Sequence, residues 1–220
     1  MCWSAEADLV AGTVVTGLGV WCLARVRRAR DLPLAALPLV LGLHQLIEAA
    51  VWSGADHPAS ASWARTAWAV IALPVLPALV PVGVWCAAGP PALGSTAQRW
   101  RAAAALTGLT VAALLAAVLV THPVTAEVHG HTLRYSIGIP TAAGALSAAY
   151  LLTTVGALLL GDHRLLRLLG LLMGLGAALC YALYRLAFAS TWCALAALTA
   201  LLLLCWAGRH EPPDPGRPRR

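Results

Sequence analysis

The sequence predicts an all-α polytopic membrane protein: a bundle of about seven transmembrane helices, with its N-terminus outside and its C-terminus in the cytoplasm. Three observations carry that prediction. Of the 220 residues, 60% are hydrophobic and 11% charged, and mean hydropathy is +0.77, outside the range of ordinary soluble domains. Seven apolar stretches each approach the ~20 residues needed to cross ~30 Å of hydrocarbon. The arginines, finally, collect in every second connection, as they do when positive loops stay inside.

The spans fall at about 8–26, 33–53, 66–87, 101–121, 140–160, 165–187 and 191–208, giving one transmembrane domain over 1–208. The first reads as an anchor and not as a cleaved signal peptide, because Glu6 and Asp8 precede the apolar run while the positive cluster follows it. Pro74, Pro77 and Pro81 interrupt the third, which predicts a kink whose freed carbonyls need partners on neighbouring helices. Between the fourth and fifth lies the one long outer loop, THPVTAEVHGHTLRYSIGIP. Its β-branched runs on either side of His129-Gly130 predict a short hairpin that acts as a lid. The tail, 209–220, is rich in Pro and charge and is expected to be disordered.

Arg25, Arg27, Arg28 and Arg30 follow span 1, Arg99 and Arg101 precede span 4, Arg164 and Arg167 lie between spans 5 and 6, and Arg209, Arg217, Arg219 and Arg220 close the chain. Only Arg65, Arg134 and Arg185 fall on the other side. An even number of spans would put the basic tail on the wrong side, so the pattern favours an odd one. The net charge of +6 is therefore a statement about topology, with the lipid bilayer as partner and no nucleic acid implied. There is no Lys, which excludes a Schiff-base retinal protein. No internal repeat signals an inverted-repeat transporter.

The chemistry concentrates in the second span, in LGLHQLIEAAVW. On a helix, His44, Gln45, Glu48 and Trp52 fall within roughly a 100° arc, a polar stripe on an otherwise apolar rod. Ionisable groups inside a bilayer cost roughly 2.5 kcal/mol or more each unless they are paired or face a cavity, so this stripe must point into protein. Glu48 is expected roughly 7 Å and His44 roughly 13 Å below the outer boundary. At that level the topology also collects Cys2, Cys193, His122, His129 and His131, with Tyr181, Tyr184, Arg185 and Phe188 on one face of span 6. Ser147, Tyr150 and Thr154 make a milder polar stripe on span 5.

Two readings of His44 and Glu48 stay open. In one, Cys2, His44, Glu48, His131 and Cys193 are a candidate metal site, since carboxylate, imidazole and thiolate suit zinc, copper or iron and i, i+4 spacing lets two ligands meet one ion. In the other, Glu48 pairs with Arg185, His44 bonds a Tyr or Ser of a neighbouring helix, and Cys2 and Cys193 form an outer disulfide. The disulfide and the thiolate ligands exclude each other. Gln45, Trp52, Tyr135, Tyr150 and Tyr184 are candidate structural partners of the site. His44 is the only histidine well inside a span, which disfavours a bis-His haem. Cys22, Cys86 and Cys205 lie at the inner ends beside Trp21, Trp85 and Trp206; these are expected to be packing residues next to an interfacial tryptophan belt.

The opening MCWSAEADLVAG, the run LPLAALPLVLGLHQLIEAAVW, the loop HTLRY with His131 and Tyr135, and STWCALAAL with Trp192 and Cys193 together resemble a family of bacterial multi-span membrane proteins of unknown function, which typically begin Met-Cys-Phe-Ser-Ala. Trp3 in place of Phe, Ala49 where Gly often follows the Glu, and Ala194-Leu195 where aromatics are usual depart from its pattern. The resemblance implies a bacterial cytoplasmic membrane protein and marks Cys2, Glu48, His131 and Cys193, with no reaction attached. The layout is also similar to that of seven-helix zinc hydrolases of the ceramidase and progestin-receptor type, although their Ser, Asp and triple-His pattern is missing. The functional expectation is a metal-binding membrane protein, with a metal-dependent enzyme as its catalytic form. A non-catalytic sensor, transport accessory or assembly factor is the alternative, and no small-molecule or protein partner is specified.

Overall fold

The computed structural model describes residues 4–54, 62–88, 95–129, 132–138, 144–183 and 195–208. Among them are seven helical rods and one β-hairpin. The rods are α1 (Ala5–Ala24), α2 (Ala29–Ser53), α3 (Ser62–Ala87), α4 (Thr96–Thr121), α5 (Gly144–Leu159), α6 (Arg164–Leu183) and α7 (Ala196–Ala207). Strands β1 (Thr125–His129) and β2 (Thr132–Ser136) pair antiparallel, with Thr125 opposite Ser136 and Ala126 opposite Tyr135. The hairpin therefore falls where the alternation about His129-Gly130 places it. Helices α1 to α4 are long and apolar enough to cross a membrane. The fifth, sixth and seventh expected spans extend into residues outside the described set, and the described portions of the fifth and seventh, α5 and α7, are shorter apolar helices.

Helix α1 starts at Ser4, whose hydroxyl accepts from the amide of Ala7 at 3.1 Å, and Glu6 and Asp8 in its first turn complement the helix dipole. Its buried residues, Asp8, Gly12, Val15, Gly19 and Cys22, alternate at spacings of four and three, so they form one seam. The rest of the rod, including Leu9, Val10, Val14 and Val20, is exposed, as suits a surface that meets lipid.

That seam packs antiparallel on α2. A Cβ on Gly12 would come within 2.9 Å of the Leu46 backbone; one on Gly19 would strike the backbone of Leu39, and one on Gly42 that of Thr16. Small residues let the backbones approach closely, which is how helices associate where lipid supplies no hydrophobic drive. Over half of the apolar stretch of α2 is buried, 56% against 28% for α1 and for α4, so α2 is the central rod.

Helix α3 shows what its prolines do. Pro74 has no N–H for the carbonyl four residues back, and the helix slips into π register over Ile71–Val75, where the amide of Leu76 donates to the carbonyl of Ile71. The carbonyl of Ala72 would then look to Pro77, which also lacks an N–H. The hydroxyl of Tyr150 donates to it instead, at 2.6 Å. Helix α5 carries a second π turn, Leu152–Gly156, where the hydroxyls of Thr153 and Thr154 donate back to the carbonyl of Tyr150 at 3.0 and 2.8 Å.

One apolar cluster joins Cys22 of α1, Leu34 of α2, Val84 of α3, Leu158 of α5, Leu166 of α6 and Leu204 and Trp206 of α7. Buried Arg101 of α4 donates from Nε to the carbonyl of Leu160 at 2.8 Å and ion-pairs with Asp162. The arginine-bearing connections 1–2, 3–4 and 5–6 and the end of α7 are thereby gathered at a single end of the bundle, the arginine end. The helices alternate in direction, and the hairpin lies at the opposite end. The expected tryptophan belt needs one correction. Trp21 and Trp85 are exposed, but Trp206 is 1% exposed and belongs to the core. Its indole belongs to the same apolar cluster as Cys22 and not to the rim.

Candidate functional site

Four polar side chains are sealed inside the hairpin half of this apolar bundle: Asp8 at 2% exposure, His44 and Gln45 at 4% and Glu48 at 0%. Each is engaged by interactions within the protein. The last three come from the polar stripe of α2. Asp8 arrives from α1 through the glycine seam: with Gly19 against Leu39, Thr16 against Gly42 and Gly12 against Leu46, the antiparallel register brings Asp8 level with Ala50, within a turn of Glu48. The polar layer thus receives acids from two helices.

Apolar residues close the layer on both sides. On the arginine side, Leu37 belongs to the large cluster and Leu41 packs against it. On the hairpin side, Val51 of α2, Ala64 of α3 and Leu133 of β2 form a second cluster, with Trp52, Ala126 and Tyr135 packed on it. The hairpin therefore covers the end of α2. Its contact with the layer is aromatic. Tyr135 stacks on Trp68 of α3, with centroids 3.6 Å apart and planes at 5°, and the His44 ring lies 5.0 Å from the same indole at 32°. Trp68 is 2% exposed, and its Nε1 makes no hydrogen bond among the described residues.

Of the expected site residues, the structure brings together His44, Gln45, Glu48, Trp52 and Tyr135. Tyr150 is placed one turn further along α3, on the carbonyl of Ala72, where it serves the proline break. Cys2, His131, Tyr184, Arg185 and Cys193 lie outside the described residues, and with them the proposed disulfide and the Glu48–Arg185 pair. Among the described residues no three His, Cys, Asp or Glu side chains group so as to hold a metal ion.

Sequence reasoning missed Asp8 and Trp68. The signal for Asp8 was present, because it sits on the same alternating four- and three-residue seam as Gly12, Val15, Gly19 and Cys22. Trp68 had none, since the proline-broken third span offers no periodicity to follow. A separate small pocket of about 40 Å³ is lined among others by Leu41, Val80, Met173, Thr154 and Thr199. Both threonine hydroxyls are already committed to helix carbonyls, at 2.8 and 3.0 Å, so the pocket offers a ligand little beyond apolar walls.

The fold and its polar layer define a class: an all-α bundle of membrane type, with ionisable groups enclosed near one end. Within that class, the chain belongs to DUF6629, a family of unknown function, which it matches over residues 1–218. No curated protein and no solved structure matches it.

Proposed function

We propose that this chain is a seven-span protein of a bacterial cytoplasmic membrane, N-terminus outside and tail in the cytoplasm, whose outward polar layer binds a transition metal ion. The observation that carries the reading is the joint burial of Asp8, His44 and Glu48 among apolar helices. Carboxylate and imidazole side chains gathered at such depth are ligand types that hold a divalent cation. Glu48 and His44 are its first ligands. Cys2, His131 and Cys193 are the residues that complete the set, and zinc, copper and iron are the ions this mixture suits. An open coordination position would make the site a metal-dependent enzyme acting through bound water. The clustering of arginines at the end away from the hairpin supports the orientation.

A second reading has its own support, because His44 and Glu48 are already engaged within the protein. In it the protein is a non-catalytic sensor, transport accessory or assembly factor, stapled by Cys2–Cys193, with Glu48–Arg185 as a structural pair. Elemental analysis of detergent-purified protein, prepared without chelator, separates the two. The metal reading expects near-stoichiometric metal in the wild type and its loss in Glu48→Ala; negligible metal in the wild type removes it. Thiol counting under non-reducing conditions tests the staple. Labelling of a single cysteine placed in the tail of intact cells would overturn the orientation.

A further inference from the structure

Helix α3 is two bodies joined at a weakened point. Its arginine-end half, Leu76–Ala87, is wedged into the bundle: Gly108 of α4 sits against the Pro77 carbonyl and the Pro81 ring, and Gly83 lies 3.0 Å from the Leu34 backbone, measured from where a Cβ would stand. Its hairpin-end half, Ser62–Val70, buries only the stripe of Ala64, Trp68 and Ala69 and leaves Trp63, Thr66 and Val70 exposed. Between them the π turn Ile71–Val75 contains Pro74 and precedes Pro77, so the backbone ladder that would stiffen the joint lacks donors there. Lateral contacts seat the hairpin-end half, and Arg65 on it is also engaged within the protein. Trp68 rests on His44, Ala64 packs on Val51 and Leu133, and Tyr135 stacks on Trp68.

The geometry points to a gate. Ser62–Val70 and the β-hairpin stacked on it move as one unit over the polar layer of Asp8, His44, Gln45 and Glu48, hinged at the π turn, where the Tyr150–Ala72 hydrogen bond holds the hinge in its closed form. Two features favour a gate over a fixed wall. The hydrogen bond to Ala72 is made by a side chain of another helix, so it opens without unwinding α3. The closed position also keeps the Trp68 Nε1–H buried without a hydrogen bond among the described residues, a cost that opening relieves. The gate is independent of whether the layer holds a metal; it describes how anything reaches the layer.

Tyr150→Phe removes the hydroxyl and keeps the ring, so it tests the latch without emptying the core. In detergent-solubilised protein, amide hydrogen exchange over Ser62–Val75 is expected to quicken at least tenfold in the variant, with Leu76–Ala87 unchanged. Modification of Glu48 by a water-soluble carbodiimide, read by mass spectrometry, is expected to quicken by a similar factor. A cross-link between cysteines placed at Val51 and Ala64 should return both rates to the wild-type level. Unchanged exchange in α3, exchange that rises equally in Leu76–Ala87, or quickened exchange with Glu48 no more reactive would each overturn the gate.

Discussion

The indole of Trp68 lies flat on the phenol ring of Tyr135, 3.6 Å between centroids, and the His44 imidazole is 5.0 Å from the same indole. A residue of the hairpin and a residue of the central helix are thus coupled through one side chain of α3. Stacked aromatic pairs contribute about 1 kcal/mol beyond the area they bury. Tyr135→Ala is expected to lower stability by about 2 kcal/mol once the lost burial is added. Tyr135→Phe should cost about 1 kcal/mol or less, because the stack survives. Thermal unfolding in detergent, compared across the two variants, checks the order.

The glycine seam between α1 and α2 predicts a contrast between two positions on one helix. A side chain at Gly19 meets the Leu39 backbone, while nothing lies within 4 Å of a Cβ at Gly17. Gly19→Leu must push the helices apart and is expected to cost about 3 kcal/mol or more. Gly17→Ala should change stability by less than about 1 kcal/mol. Equal effects in a denaturant titration would mean that the seam is not the contact that holds α1.

At the arginine end, Arg101 is 8% exposed and Asp162 62%. An ion pair with one partner in solvent is worth about 0–1 kcal/mol, so Asp162→Asn should fall in that range and shrink further in high salt. Arg101→Met also removes the donor to the Leu160 carbonyl, and a loss of about 2 kcal/mol that barely responds to salt is expected. Unfolding midpoints at low and high salt distinguish the two contributions.

Two tryptophans next to cysteines at this end should behave oppositely. Trp206 is 1% exposed inside the core and Trp21 is 54% exposed. Trp206→Ala is expected to cost about 3–5 kcal/mol, as other large-to-small core changes do. Trp21→Ala should leave detergent stability within about 1 kcal/mol of the wild type. A large loss at Trp21 would contradict its exposed position.

The elements were legible because each rests on a local signal. Apolar length marked the helices, β-branched alternation marked Thr125–His129 and Thr132–Ser136, and three prolines announced a break in α3 whose carbonyls need partners. The polar stripe of His44, Gln45 and Glu48 was legible for the same reason: against an apolar background a polar residue stands out. Asp8, Trp68 and Trp206 were harder because two of the three are themselves apolar or aromatic. In a helix that faces lipid on one side and protein on the other, both sides are apolar, so periodicity does not tell the core from the surface.

From the sequence alone came the class of protein, the number and order of its apolar rods, the gathering of arginines on alternate connections, and the most costly residues to bury. These follow from composition and from charge, which act residue by residue. The tertiary structure alone decided that Asp8 comes within a turn of Glu48, that Trp68 bridges His44 and Tyr135, and that Tyr150 answers the break at Pro74. Those pairings depend on the register and close approach of helices distant in the chain, set by glycine contacts and broken backbone ladders that no single segment encodes.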